Sequence, residues 1–189
     1  MTLLELANKK LAIETVFAQI VIIGVVIYLL FLRKKFPALV VLFGKYWLVL
    51  VFLVSLASMA GSLFYSNIAG FAPCDLCWWQ RIFMYPLAVL SGLALLKRPF
   101  DFAQGESKKI IDYLLALSVC GAAVSLFHNF IYYYNGGLSV FCNVGGSQVS
   151  CIKRYVFEFG YITIPLMSLT AFTLIIIFMV FAKLHERRP

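Results

Sequence analysis

Charge is scarce in this 189-residue chain, and acidic charge most of all: Asp and Glu number 8, and all charged residues together make up 13%. The apolar fraction is 63%, against roughly 45–50% for an ordinary soluble domain. One domain of this size has too much surface for its volume to hide that excess in a core. A soluble protein is excluded, and an integral membrane protein follows. Further absences narrow the class. No basic face interleaved with aromatics is present, so the net charge of +8 does not read as a nucleic-acid surface. No small-x-small cleavage site follows the first apolar run, whose densest basic cluster, Arg33, Lys34 and Lys35, comes after it. That run reads as a retained span rather than a signal peptide. Five cysteines are too few for a disulfide-stapled scaffold, and no internal repeat is visible.

What is there is a set of apolar runs, at 13–32, 46–65, 78–96, 110–134 and 160–182. About twenty apolar residues rising 1.5 Å each cross a hydrocarbon core of ~30 Å. The fold class is therefore all-α. Between the runs, 36–44 with Pro37 and Gly44 reads as a short connection, and 97–109 as a solvated turn. The segment 135–159 is the longest outside the spans. Ser55, Ser58, Gly61 and Ser62 predict close helix approach along the second span, and Pro86 predicts a bend in the third. Thr163 and Pro165 mark the entry to the fifth, and 183–189 reads as a basic tail. Eleven of the 16 Lys and Arg lie in 33–45, 97–109 and 183–189, and five in 1–12, 66–81 and 135–159. The side richer in Lys and Arg faces the cytoplasm. The N-terminus is then outside, the C-terminus inside, and both cysteine-bearing segments share the external face.

That face is an oxidising compartment, where thiols tend towards disulfides. Cys74 and Cys77 lie three residues apart at the start of the third apolar run. Unpaired N–H groups and the dipole at a helix start favour a thiolate there. Arg81 follows Cys77 at i+4 and shares its helix face, ready to stabilise a thiolate or a charge developing on a bound electron acceptor. Cys142 and Cys151 lie in the Gly-containing segment 135–159, which can reach an external partner. Thiolate attack through a mixed disulfide passes oxidising equivalents between such pairs. A relay from partner to loop pair to Cys74–Cys77 to a lipid-dissolved acceptor, in practice a quinone, is one reading. Two structural disulfides in a non-catalytic scaffold are another, although a bond across one helical turn constrains little. A zinc site of four thiolates fits poorly with the loop spacing and the oxidising face, and no metal is expected. Gln80 is a candidate to bond a quinone carbonyl. His128 is a candidate proton donor or quinone partner. Cys120 reads as a small packing residue within its span, and Asp75 opposes thiolate formation.

At Pro73-Cys74-x-x-Cys77-x-x-Gln80-Arg81 the sequence resembles the DsbB family of disulfide bond formation proteins, in its short, BdbC-like branch. A second block, Cys151, Tyr155 and then Gly160-Tyr161-Ile162-Thr163-Ile164-Pro165-Leu166-Met167, is similar to the entry of that branch's last helix. The likeness covers about 46–182. It leaves 1–45 as an extra N-terminal transmembrane helix with its cytoplasmic connection, and 183–189 as a basic cytoplasmic tail. The resemblance implies a four-helix bundle in the bacterial cytoplasmic (inner) membrane. It also implies a quinone-dependent protein disulfide oxidoreductase that reoxidises a DsbA-like thioredoxin-fold partner and hands the electrons to ubiquinone or menaquinone. By the same resemblance Cys74 and Cys77 are the quinone-linked pair, with Cys77 nearest the quinone and Arg81 polarising it. Cys142 and Cys151 then face the partner. A vitamin-K-epoxide-reductase-like protein is the nearest enzymatic alternative, but there the Cys-x-x-Cys comes after the loop pair. The extra first span and a longer Cys142–Cys151 spacing depart from the short branch.

Overall fold

The computed structural model describes residues 3–32, 38–97, 104–134 and 155–186. Each apolar run forms a helix, because an α-helix satisfies every interior backbone N–H and C=O within its own segment, as a bilayer demands. Helix α1 (Leu3–Ile27) continues into a π-helical turn, Tyr28–Leu32, and α2 (Ala38–Leu63) into a second one, Phe64–Ile68. Helices α3 (Asp75–Lys97), α4 (Gln104–Tyr134) and α5 (Ile164–Glu186) complete the set. All five are long and apolar enough to cross a membrane. The protein is a multi-pass, all-α membrane protein. Among the described residues there is no strand, only an isolated antiparallel bridge between Glu158 and Ile162.

Helices α2, α3, α4 and α5 close into a ring, since α2 packs on α3 and α5, and α4 packs on α3 and α5. Trp47, Met84, Leu87, Leu114, Phe172 and Met179 fill its centre. Helix α1 lies outside the ring against α5. It turns Ile13, Phe17 and Ile20 outward, with Phe17 68% exposed, a surface that suits lipid and not water. Its far end is fixed by Tyr28, which packs with Val40, Ile177 and Phe181.

Several expected boundaries shift. The segment 36–44 is not wholly a connection: α2 begins at Ala38 and runs through Gly44. Gly44 is helical because it abuts α5, where an added Cβ would lie 2.4 Å from the His185 Cβ. The expected turn 97–109 is helical from Gln104 onward. The expected tail is helical through Glu186, and its Lys183 pairs with Asp112 of α4 at 2.7 Å. Gly61 is not a close-packing position either, since a Cβ there meets nothing within 4 Å. The tight approaches are at Gly92 against Phe52 and Gly121 against Phe172. Ser55 and Ser58 instead bond the carbonyls of Val51 and Val54 one turn back. Thr163 does start α5, its hydroxyl accepting from the Leu166 N–H at 3.3 Å. Pro86 sits inside a helix that continues past it.

Candidate redox site at the start of the third helix

The site forms where the chain leaves α2. After the π turn, Gly70 takes a φ of +68°, a left-handed conformation that a residue without Cβ adopts at no steric cost. The Phe71 N–H then donates to the Tyr65 carbonyl, closing the helix end. Four residues later α3 begins, and Cys74 occupies its N-cap position. The Trp78 N–H donates to the Cys74 carbonyl at 3.1 Å, and the Cys77 N–H points to the Cys74 sulfur at 3.4 Å. A sulfur thus stands where a Ser or Asp oxygen caps most helices. The positive end of the helix dipole adds to the stabilisation of negative charge on that sulfur. Asp75, the first helical residue, is buried in the same favourable end.

One turn on, Cys77 brings its Sγ to 2.6 Å from the Cys74 Sγ. On the other side His128 of α4, only 2% exposed, holds its Nε2 3.9 Å from the Cys74 sulfur. Its Nδ1 lies 3.1 Å from Gln80 Nε2. An amide nitrogen can only donate, so Nδ1 is the acceptor, and the network assigns the ring hydrogen to Nε2, facing the sulfur. Arg81 donates from Nη2 to the Ser62 carbonyl of α2 at 3.2 Å and stacks over Trp78, 5.2 Å from its ring centre.

Cys74, Cys77, Gln80, Arg81 and His128 all line one cavity of about 170 Å³ between the helix ends. The structure thus brings five of the seven expected site residues together. Cys142 and Cys151 lie outside the described residues. The ligand atoms of Cys74, Cys77 and His128 fall within 4.8 Å of one another, a soft donor set able to converge on a metal ion. Cys120 is not a packing residue but is exposed on the outside of the bundle. Its neighbour Gly121 takes the inward position against Phe172, and one residue along a helix turns the side chain away.

Sequence reasoning missed much of the cavity wall. Tyr65, Phe71 and Tyr155 form a stacked column, with ring centres 5.7 and 4.4 Å apart. Tyr85 also lines the cavity, and its hydroxyl is buried with no hydrogen-bond partner among the described residues. Its only sequence signal is its place at i+4 from Arg81.

Comparison with known proteins gives a consistent result. Residues 44–182 match the family model described as "Disulfide bond formation protein DsbB". The chain is 41% identical over 130 residues to "Disulfide bond formation protein C" of Bacillus subtilis (strain 168), covering 69% of this chain and 87% of that one. It is 38% identical over 133 residues to a "Probable disulfide formation protein" of Oceanobacillus iheyensis, covering 69% and 83%. It is also 38% identical over 131 residues to "SPbeta prophage-derived disulfide bond formation protein B" of Bacillus subtilis (strain 168), covering 69% and 81%. No solved structure matches the chain.

Proposed function

Because this chain belongs to the DsbB family of disulfide bond formation proteins, we propose that it is a quinone-dependent protein disulfide oxidoreductase. It reoxidises a DsbA-like thioredoxin-fold partner outside the bacterial cytoplasmic membrane. Cys142 and Cys151 exchange with the partner, Cys74 and Cys77 reoxidise that loop pair, and ubiquinone or menaquinone is the final acceptor. The domain division belongs to the same proposal: 46–182 carries the redox centre, 1–45 the added helix and 183–189 the tail. So does the orientation with the N-terminus outside and the C-terminus in the cytoplasm.

The observation that carries this reading is the convergence of Cys74, Cys77, Gln80, Arg81 and His128 on one cavity at the mouth of an apolar bundle. Its volume of about 170 Å³ suits a single ring, since an apolar cavity of ~150 Å³ takes benzene. A bound quinone accepts the two electrons and two protons that two thiols release on forming one disulfide. The protein's own groups supply the rest. Capping by the Cys77 N–H stabilises negative charge on the Cys74 sulfur. The His128 Nε2–H faces that sulfur and can donate a hydrogen bond to it, which stabilises negative charge there. Arg81 brings a fixed positive charge to the cavity, held in place by Ser62 and Trp78. Such a charge costs free energy at membrane depth, which argues against an incidental role. Gln80 fixes the His128 ring, and the Tyr85 hydroxyl is an available donor to a carbonyl.

The test is to supply the lipid-reconstituted protein with a reduced thioredoxin-fold partner and a quinone, following partner oxidation and quinol formation together. The expected result is coupled turnover, lost in Cys77→Ser and in Cys142→Ser. Full turnover in both variants would overturn the relay.

A further inference from the structure

Helix α1 precedes the matched residues, which begin at position 44, yet it is joined to the redox site by more than lipid packing. A polar side chain within an apolar span is costly unless it finds a partner. Asn8 and Gln19 both have partners outside α1. The Asn8 Oδ1 accepts from the Tyr65 hydroxyl at 3.0 Å. Gln19 donates to the Thr170 hydroxyl of α5 at 3.4 Å and accepts from the Tyr161 hydroxyl at 3.0 Å. Between these two anchors, one turn after Asn8, Leu11 lines the cavity that holds Cys74 and Cys77.

Tyr65 transmits the contact further. It is only 6% exposed, lines the cavity, and stacks on Phe71 at an interplanar angle of 8°. Phe71 stacks in turn on Tyr155, four residues after Cys151. Tyr65 also sits in the π-helical turn that ends α2, a type of turn found frequently at functional sites, and its hydroxyl is tied to α1 through Asn8.

We propose that α1 is part of the acceptor site: Leu11 is its side wall and determines which ring sizes enter. Asn8 is a positioning residue that holds the Tyr65–Phe71–Tyr155 column. This rests on the reading that the cavity takes a quinone ring, and it assigns to α1 a role in acceptor choice.

The experiment uses the full chain in lipid, with soluble short-chain benzoquinone (one ring) and naphthoquinone (two fused rings) as acceptors. Leu11→Trp is expected to raise KM for both acceptors by about tenfold, with kcat at saturation changed much less. Leu11→Ala is expected to shift the kcat/KM ratio towards the two-ring acceptor by roughly threefold or more. Asn8→Ala is expected to raise KM about fivefold, as for the loss of one hydrogen bond. Tyr65→Phe added to it should raise KM little further, because the two share one interaction. Phe17→Ala, on the lipid face of the same helix, is the control and should leave KM unchanged. If wild type shows saturable acceptor dependence while Leu11→Ala and Asn8→Ala leave both KM values and their ratio unaltered, the role of α1 is overturned and the quinone reading stands. Turnover of wild type without any acceptor dependence overturns both.

Discussion

At the scale of single residues, the arrangement around Cys74 joins two kinds of chemistry in one atom. Its sulfur caps a helix and also belongs to the pair proposed to exchange with the loop cysteines. A cap contributes about 1 kcal/mol, and a sulfur engaged in a disulfide is a weaker acceptor than a thiolate. The cap therefore favours the reduced dithiol, which by ~30 mV per 1.4 kcal/mol makes the couple roughly 20 mV more oxidising. His128 and Gln80 form the neighbouring unit. Replacing His128 by Phe removes the N–H that faces the sulfur and is expected to slow thiol exchange by about ten- to a hundredfold, as for the loss of one hydrogen bond to a charged sulfur. Gln80→Leu should slow it by less, because the ring stays while its tautomer is released. The double variant should be no slower than His128→Phe alone. Stopped-flow measurement of partner oxidation checks all three, and additive effects would show that the two residues act separately. Cys74, Cys77, Gln80 and Arg81 were legible in the sequence because helical spacing sets them on one face. His128 was legible only as a candidate, and Leu11, Tyr65 and Tyr85 not as site residues at all. No spacing rule within one segment reports which faces of separate helices meet.

At the scale of elements, apolar runs of membrane-crossing length announced all five helices, whereas their ends were harder to read. Gly44 and Pro37 look like a break, but a glycine where helices touch serves close approach as well as turning. Polar Gln104 to Lys109 look like a solvated turn, but a helix may extend beyond the apolar core into water at little cost. The glycines also differ sharply in what surrounds them. A Cβ at position 121 would lie 2.3 Å from the fully buried Phe172 ring. Gly121→Ala is expected to destabilise the α4–α5 pair by about 1–3 kcal/mol, the usual cost of overpacking. Gly61→Ala, with open space around it, should not lower stability, since alanine is the better helix former. Thermal unfolding in detergent compares the two, and equal melting points would refute the packing account.

At the scale of the whole molecule, the helices alternate in direction, so one end of the bundle collects the starts of α1, α3 and α5 and the ends of α2 and α4. Asn8–Tyr65 and Gln19–Tyr161 bonds mark that end, and the Lys183–Asp112 pair marks the other. The charge count reads the Lys183 end as cytoplasmic. A reporter that fluoresces only in the cytoplasm should therefore be bright when fused after Pro189 and dark when fused before Met1. The reverse pattern would invert the proposed orientation. Helix α5 packs on α1, α2 and α4, and of the five helices it is made last. Until it inserts, the ring stays open between α2 and α4, and the cavity lacks the wall that Ile164, Pro165, Met167 and Ser168 supply. In the proposed orientation, the nascent protein for that interval carries its Cys-x-x-Cys thiols on the external side without a finished pocket to govern them. The candidate redox centre is thus a late product of biogenesis, completed by a helix that contributes none of its cysteines.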